Sequence, residues 1–227
     1  MKKSKVTWEQ VYDKMNLENA FREALRVCKN KKAIKAVWEK HDEIIEEIYN
    51  ALKEETYKLS PLYSFKVYEP KERDIHAPKL YPDKIIDHAV LRVVKWELLD
   101  RIPYCSYGSL QYRGLHRLAK KLSVAVGRHQ NWYYLKTDFK HFYESIDHEK
   151  MKEIVRKVFK DKRIIRYFEK LIDRNKKGLA IGVGSSQYLA NLFLSICDHY
   201  FKEVLGIKFY FRYMDDIIMF VSTKEEA

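Results

Sequence analysis

At 227 residues and 27.4 kDa, with 46% hydrophobic and 14% aromatic content, the chain can bury one substantial core or two small ones, which excludes a disordered polypeptide. A formal net charge of +12 and a pI near 9.4 favour a polyanionic partner, because a basic surface releases counterions from nucleic acid whatever its sequence. No run of about 18 apolar residues occurs, so no membrane-spanning helix is expected; Cys28, Cys105 and Cys197 form no Cys-x-x-Cys pair, which argues against zinc or a disulfide framework and for a reducing cytoplasm.

The first residues turn charged again at Glu9 with no apolar signal core, so the protein is expected to be soluble and not secreted. Phe21, Leu25 and Cys28 recur at helical spacing between Trp8 and Asn30, and Ile45, Ile48 and Leu52 do so between Lys32 and Glu55, predicting two amphipathic helices. The second carries Glu43, Glu46, Glu47, Glu54 and Glu55 and reads as a scaffold face. Pro61, Pro70, Pro78 and Pro82 then rule out a continuous helix, and the alternation from Tyr63 to Tyr68 predicts a strand. Lys71 and Arg73 follow, two cations on one face of an extended segment. Pro82-Asp83 opens a helix with Ile86, Val90, Val93 and Leu98 on one stripe, ending near Asp100 before Pro103.

A loop from Tyr104 to Gly114 leads to a helix with Leu115, Leu118, Leu122 and Ala125 inside, ending near Gly127. Its polar residues are basic: Arg113, Arg117, Lys120, Lys121 and Arg128 occur with no acidic residue between Tyr112 and Gln130. Trp132 to Phe139 predicts a buried strand ending in Asp138. Asp147 is the N-cap of a helix to about Phe159, and a second helix runs to about Arg174. From Lys150 to Lys177, twelve Lys/Arg face four Asp/Glu. Both basic segments are candidates for nucleic-acid contact, set against the alternative of solvated helical faces. After a turn at Lys176-Lys177-Gly178, the small-residue loop Gly182-Val183-Gly184-Ser185-Ser186 feeds a long apolar helix from Gln187 to about Leu205, closed by Gly206. Ile207–Tyr213 and Ile217–Val221 predict a β-hairpin with Asp215 and Asp216 at its tip.

An Asp-Asp dipeptide alone reads as a turn. Adjacent carboxylates between apolar strands also repel, and a divalent cation is the usual relief. The element order lets Asp138 and the hairpin tip share one edge of an antiparallel sheet backed by helices, with three carboxylates converging. His76, His141, His148 and His199 lie near these stretches without metal-ligand spacing and read as non-ligands.

Together these stretches resemble a reverse transcriptase of the bacterial type related to group II intron, retron and diversity-generating retroelement enzymes. Tyr213-Met214-Asp215-Asp216 is similar to the family's Tyr-x-Asp-Asp motif, and Leu135-Lys136-Thr137-Asp138-Phe139, continuing to His148, resembles the strand and turn that carry the first catalytic Asp. Gly178 to Asn191 resembles the Gly-x-x-x-Ser-Gln motif, and Lys71-x-Arg73 the fingers motif. The resemblance implies an α+β right-hand polymerase with an N-terminal helical region (1–58), mostly helical fingers (59–131) and a palm (132–227) that stops before a thumb.

What it implies chemically is RNA-directed DNA polymerisation, the transfer of dNTPs to the 3′-hydroxyl of a DNA or RNA primer on an RNA template by two Mg²⁺ ions about 4 Å apart, Mn²⁺ being the alternative. Asp138, Asp215 and Asp216 are then catalytic: Asp138 and Asp215 bridge the ions, Asp216 helps hold the primer-side ion, and the Phe139 carbonyl is a further ligand. Lys71 and Arg73 clamp the triphosphate. Tyr143 stacks under the sugar and excludes a 2′-hydroxyl, unless it is an ordinary core tyrosine. Gly182 and Gln187 contact the template base or incoming nucleotide, and Arg113, Arg117, Lys120, Lys121 and Tyr213 contact nucleic acid.

Ile181 and Ser186-Gln187 stand where retroviral-type enzymes carry Gln and Pro, a pattern similar to the error-prone diversity-generating lineage or a phage-defence relative. The family continues beyond the hairpin into a primer-gripping hairpin and thumb, so a fragment, a truncated gene or a split protein is expected. Two alternatives follow: a catalytically idle RNA-binding module, and a phage-defence enzyme with protein-primed or untemplated synthesis. A bacterial or phage-encoded cytoplasmic protein is expected, with an accessory protein or structured noncoding RNA as a further candidate partner and no membrane partner.

Overall fold

The structure, a computed structural model, describes residues 2–68, 72–129 and 131–225. Four helices occupy the first fifty-odd residues where two were expected: α1 (Trp8–Val11), α2 (Lys14–Arg26), α3 (Lys31–Trp38) and α4 (His41–Lys53). Side chains that compete for backbone N–H groups make two of the boundaries. Asp13 accepts from the Asn16 N–H at 3.0 Å to start α2, and Asn30 accepts from the Ala33 N–H at 3.1 Å to start α3. The chain breaks once more between Trp38 and His41. Strands β1 (Tyr63–Val67) and β2 (Arg73–Ala77) form an antiparallel hairpin running from Tyr63↔Ala77 to Val67↔Arg73. A kinked turn over Leu80–Lys84, extended at Tyr81, leads into α5 (Ile85–Leu99).

Next come α6 (Leu115–Arg128), β3 (Tyr133–Thr137), α7 (Phe142–Ser145), α8 (His148–Val158), α9 (Lys162–Asp173) and α10 (Gly184–His199). A wide turn, Tyr200–Val204, precedes β4 (Phe209–Tyr213) and β5 (Asp216–Val221). The caps at Asp147 and Asp161 accept from the backbone of Lys150 and Arg163, both at 2.8 Å. Helix α10 begins at Gly184, so the second half of the expected small-residue loop is the helix's first turn.

The chain divides into two compact units, each built from two segments: Met1–Glu97 with Ile146–Ser186, and Leu98–Ser145 with Gln187–Ala227. In the first, Trp8 is wholly buried; its indole N–H donates to the Leu52 carbonyl and its backbone N–H to Asp161, both at 2.8 Å. Tyr57 stacks on it with ring centroids 5.7 Å apart, and Tyr167 lies at 6.0 Å. Helix α9 buries Ile164, Tyr167, Phe168, Leu171 and Ile172, one stripe at helical spacing.

In the second unit the strand order is β3-β5-β4, all antiparallel. Tyr210, Ile217 and Met219 form its core with Cys105, Phe201 and Ile207 packed against them. Two expectations are corrected here. Strand β3 is exposed at all five positions, not buried: it lies at one edge of the sheet, and it is the other edge strand, β4, against which α6 packs. In α6, Leu118 and Ala125 are buried but Leu115, at the first turn, is 64% exposed. No described helix is long and apolar enough to cross a membrane.

Candidate active site

The alternation of β4 and β5 puts Tyr210, Arg212, Ile217 and Met219 inside. Tyr213 pairs with Asp216, which leaves Met214 and Asp215 as a two-residue turn. On the other side of β5, Thr137 pairs with Ile217, so Asp138, the next residue of that chain segment, arrives at the same end of the sheet as the turn. Asp138 and Asp215 come within electrostatic reach of one another at this end. Burial first, and then the approach and charge of Asp138 and the charge of Asp216, hold the Asp215 carboxyl above the usual carboxylate range, against the lowering effect of its own backbone N–H.

Asp216 does not complete the expected trio. As the first residue of β5 it is exposed, and its carboxylate lies 3.7 Å from the Lys136 ammonium on β3. Among the described residues no three His, Cys, Asp or Glu side chains are gathered so as to hold a metal ion by themselves. The Asp216 charge still acts on Asp215, so Asp216 lies near the other two while its carboxylate turns to Lys136.

Tyr143 packs beside this pair; burial first, and then the charge of Asp215, push its hydroxyl well above the ordinary tyrosine value. Its ring meets Phe142 at 5.7 Å, which in turn meets Phe139 at 6.0 Å, and Phe139 is partly exposed. Gln187 is exposed in the first turn of α10 and Tyr213 is half-buried at the end of β4.

In the first unit, Arg73 is exposed at the start of β2, while Lys71 lies outside the described residues. The His76 N–H donates to the Ile181 carbonyl at 2.7 Å, docking the small-residue loop on β2. Gly182 has φ 118°, and a Cβ there would lie 2.8 Å from Ile75 Cγ2, so glycine is required for this close approach. Asp87 of α5 is buried beneath the same loop, accepting from the Ser185 N–H at 3.2 Å, from the Ser185 hydroxyl, and from the Tyr167 hydroxyl at 3.1 Å. Burial pushes its carboxyl upward against those donors. A lone Asp inside the apolar stripe of α5 is the signal the sequence offered for it.

The basic segments divide. Arg113 turns inward: its guanidinium donates to the carbonyls of Pro103 (2.6 Å), Ile102 (2.9 Å), Ser106 (3.1 Å) and Leu99 (3.3 Å), and lies 4.8 Å from the Tyr104 ring centre. A phosphate would have to displace those partners, so Arg113 is reassigned from nucleic-acid contact to loop organiser. Arg117, Lys120 and Lys121 are exposed on α6, with Arg117 donating to the Tyr112 carbonyl at 2.7 Å. Between Lys150 and Lys177 six of the twelve cations are engaged internally. Lys152 pairs with Glu149 and Asp173, Arg156 with Glu169, Arg163 with Glu9 and Asp161, Arg166 with Glu55 and Arg174 with Asp83, while Lys170 lies over the Tyr57 ring.

Residues 79–227, well over half the chain, match the family model described as reverse transcriptase (RNA-dependent DNA polymerase). The chain belongs to that family. Its members are nucleotidyltransferases, and the matched segment includes Asp138, Tyr143, Asp215 and Asp216. Among solved structures, this reverse transcriptase domain is similar to apo telomerase from Candida tropicalis truncated from its C-terminal domain (TM-score 0.52, 15% identity, 74% of this chain and 46% of that one). It is also similar to telomerase from Candida albicans in complex with the TWJ fragment of telomeric RNA (TM-score 0.53, 12% identity, 84% of this chain and 43% of that one). These likenesses show the fold, fingers and palm, and the chain spans less than half the length of either telomerase chain. No curated protein sequence matches it.

Proposed function

We propose that this domain polymerises DNA on an RNA template, transferring dNTPs to a primer 3′-hydroxyl at Asp138 and Asp215 with divalent metal. The observation that carries the reading is the convergence of the Asp138 and Asp215 carboxyls at one end of the sheet, where burial and the charge of Asp138 hold Asp215 above the usual carboxylate range. Two hard oxygen donors held together at such a cost suit Mg²⁺, with Mn²⁺ as substitute. When bound, the divalent ions supply neutralisation of the attacking and leaving oxygens.

In this reading Asp138 and Asp215 hold the metal and Asp216, now near Lys136, serves an outer position. The Phe139 carbonyl is a further oxygen donor. Tyr143, within reach of the Asp215 charge, is the side chain that stacks under the sugar and excludes a 2′-hydroxyl in this reading. Lys71 and Arg73 supply cations to the triphosphate, Gly182 and Gln187 face the nucleotide or template, and Arg117, Lys120, Lys121 and Tyr213 meet nucleic acid. Ile181 with Ser186-Gln187 supports the bacterial retroelement type, and three unpaired cysteines support a reducing cytoplasm.

The test is dNTP incorporation on a primed RNA template with Mg²⁺, in the protein that carries this domain. Asp138→Ala and Asp215→Ala should each lower the rate by about a thousandfold, the several kcal/mol that metal stabilisation of the transition state contributes. Incorporation surviving both changes rejects the assignment. Salt-dependent RNA binding with no incorporation in the unsubstituted protein points instead to an idle RNA-binding module. Product made without template points to untemplated synthesis.

A further inference from the structure

Met214, between the paired Tyr213 and the catalytic Asp215, is left-handed with φ 54°, a conformation that a residue with a Cβ adopts at a cost. Such strain persists only where the surroundings over-determine it. Three neighbours do so here. Arg212 Nη1 donates to the Met214 carbonyl at 2.9 Å, and Asn191 Nδ2 donates to Met214 Sδ at 3.2 Å. Gly108 lies so close that a Cβ on it would come within 2.5 Å of the Met214 backbone nitrogen.

The guanidinium that holds the Met214 carbonyl is itself immobilised. Arg212 and Asp198 are both fully buried, and Arg212 donates from Nε and Nη2 to the two Asp198 carboxylate oxygens at 2.7 and 2.6 Å. Nη1 also donates to Asn191 Oδ1 at 3.0 Å, which accepts from the Ser106 hydroxyl at 2.9 Å. Tyr210 donates its hydroxyl to Asp198 at 2.8 Å. The Arg212 main chain is tied as well, its N–H donating to the Cys105 carbonyl and its carbonyl accepting from the Tyr107 N–H, both at 2.8 Å. A buried ion pair is a poor source of stability compared with well-packed apolar side chains, so a pair this completely hydrogen-bonded suits a role in fixing geometry.

We propose that Arg212, fixed by Asp198 and Asn191, is a positioning residue that holds Met214 left-handed and thereby aims Asp215 at Asp138 for metal binding. The inference rests on the reading that this carboxyl pair binds metal. A right-handed Met214 rotates the peptide that joins it to Asp215 and carries the carboxyl away from its partner.

The experiment is calorimetric titration of the protein with Mn²⁺ alone, without nucleic acid, alongside thermal melts that establish folding. Arg212→Lys keeps the charge but loses the fork, and Gly108→Ala leaves the ion pair intact while pressing on Met214. Both should weaken Mn²⁺ binding by about 10- to 100-fold, the range for partners that orient metal ligands. Adding Met214→Asn, a residue that accepts the left-handed region readily, should restore most of the loss in Arg212→Lys. Restoration of that kind is not expected of a residue that merely packs. Should Arg212→Lys fail to fold, Gly108→Ala carries the test. Unchanged Mn²⁺ affinity in folded Gly108→Ala, with binding abolished in Asp215→Asn, overturns the tether and leaves the metal reading standing. Equal Mn²⁺ binding by Asp215→Asn and the unsubstituted protein overturns both.

Discussion

A half-buried carboxyl beside two others resists ionisation, and Asp215 is held above the usual carboxylate range for that reason. A raised folded-state pKa means that the fold favours the protonated form. The stability this contributes is present below the unfolded carboxylate value and is lost as pH rises through the folded one. At neutral pH without divalent metal, the ionised pair therefore works against folding. Asp215→Asn should raise the melting temperature at pH 7 in chelator, and the gain should shrink on acidification to about pH 4. Saturating Mn²⁺ should then favour the unsubstituted protein, since a ligand of the native state alone stabilises it. An Asp215→Asn protein that melts no higher than the parent at pH 7 counts against repulsion within the pair. That Asp138 and the Asp215 turn share one end of the sheet was legible in the sequence because it follows from the order of the strands. The fate of Arg113 was not: four carbonyls between Leu99 and Ser106 take its guanidinium, and nothing local to Arg113 announces them. Arg113→Lys should cost about 2 kcal/mol in a denaturant titration, in the range for hydrogen bonds to a charged group, while leaving RNA affinity nearly unchanged. A large drop in affinity with stability intact restores Arg113 to the nucleic-acid surface.

Elements were legible where a capping side chain or a hydrophobic stripe marked them. Asp147 and the single stripe of α9 mark helices that the structure shows within a residue or two. The breaks inside the first two expected helices were missed, because an N-cap such as Asp13 sits in an unbroken apolar periodicity. The burial of β3 was misjudged for a different reason: Tyr133, Tyr134 and Leu135 form a strand by propensity, but burial depends on whether a neighbour covers them. Asp161 shows how a cap becomes a tertiary link. It starts α9 and also accepts from the Trp8 N–H. Burial raises its carboxyl, but hydrogen bonds from the Trp8 and Arg163 backbone and the charge of Arg163 outweigh that and leave it lowered. A depressed carboxyl contributes stability above its unfolded value and loses it as pH falls through the folded one. Asp161→Asn keeps a capping oxygen but loses the charge, and should destabilise the protein by about 1 kcal/mol at pH 7, with the difference vanishing below about pH 3. A difference that persists undiminished in acid means that shape, not charge, matters at this cap.

At the scale of the whole molecule, a net charge of +12 says that polyanions are attracted but not where they bind. The fold interleaves the chain, so each compact unit is assembled from two distant segments, and no charge count along the sequence anticipates which cations acidic partners will meet. Between Lys150 and Lys177 the surplus is the larger of the two, yet Arg156 and Arg166 pair with Glu169 and Glu55, the latter over a hundred residues away in sequence. The shorter basic run on α6 keeps Lys120 and Lys121 exposed. Counterion release separates the two surfaces. Removing one cation that neutralises a phosphate should flatten the dependence of log affinity on log salt by about 0.7 for single-stranded RNA. Lys120→Gln/Lys121→Gln should thus flatten it by about 1.4 with little effect on melting. Arg156→Gln/Arg166→Gln should instead leave the slope alone and lower the melting temperature slightly, these being exposed or half-exposed pairs worth well under about 1 kcal/mol each. If the second double substitution flattens the slope and the first does not, RNA is held by α8 and α9 after all, with the carboxylates of Glu55 and Glu169 giving up their arginines to phosphate.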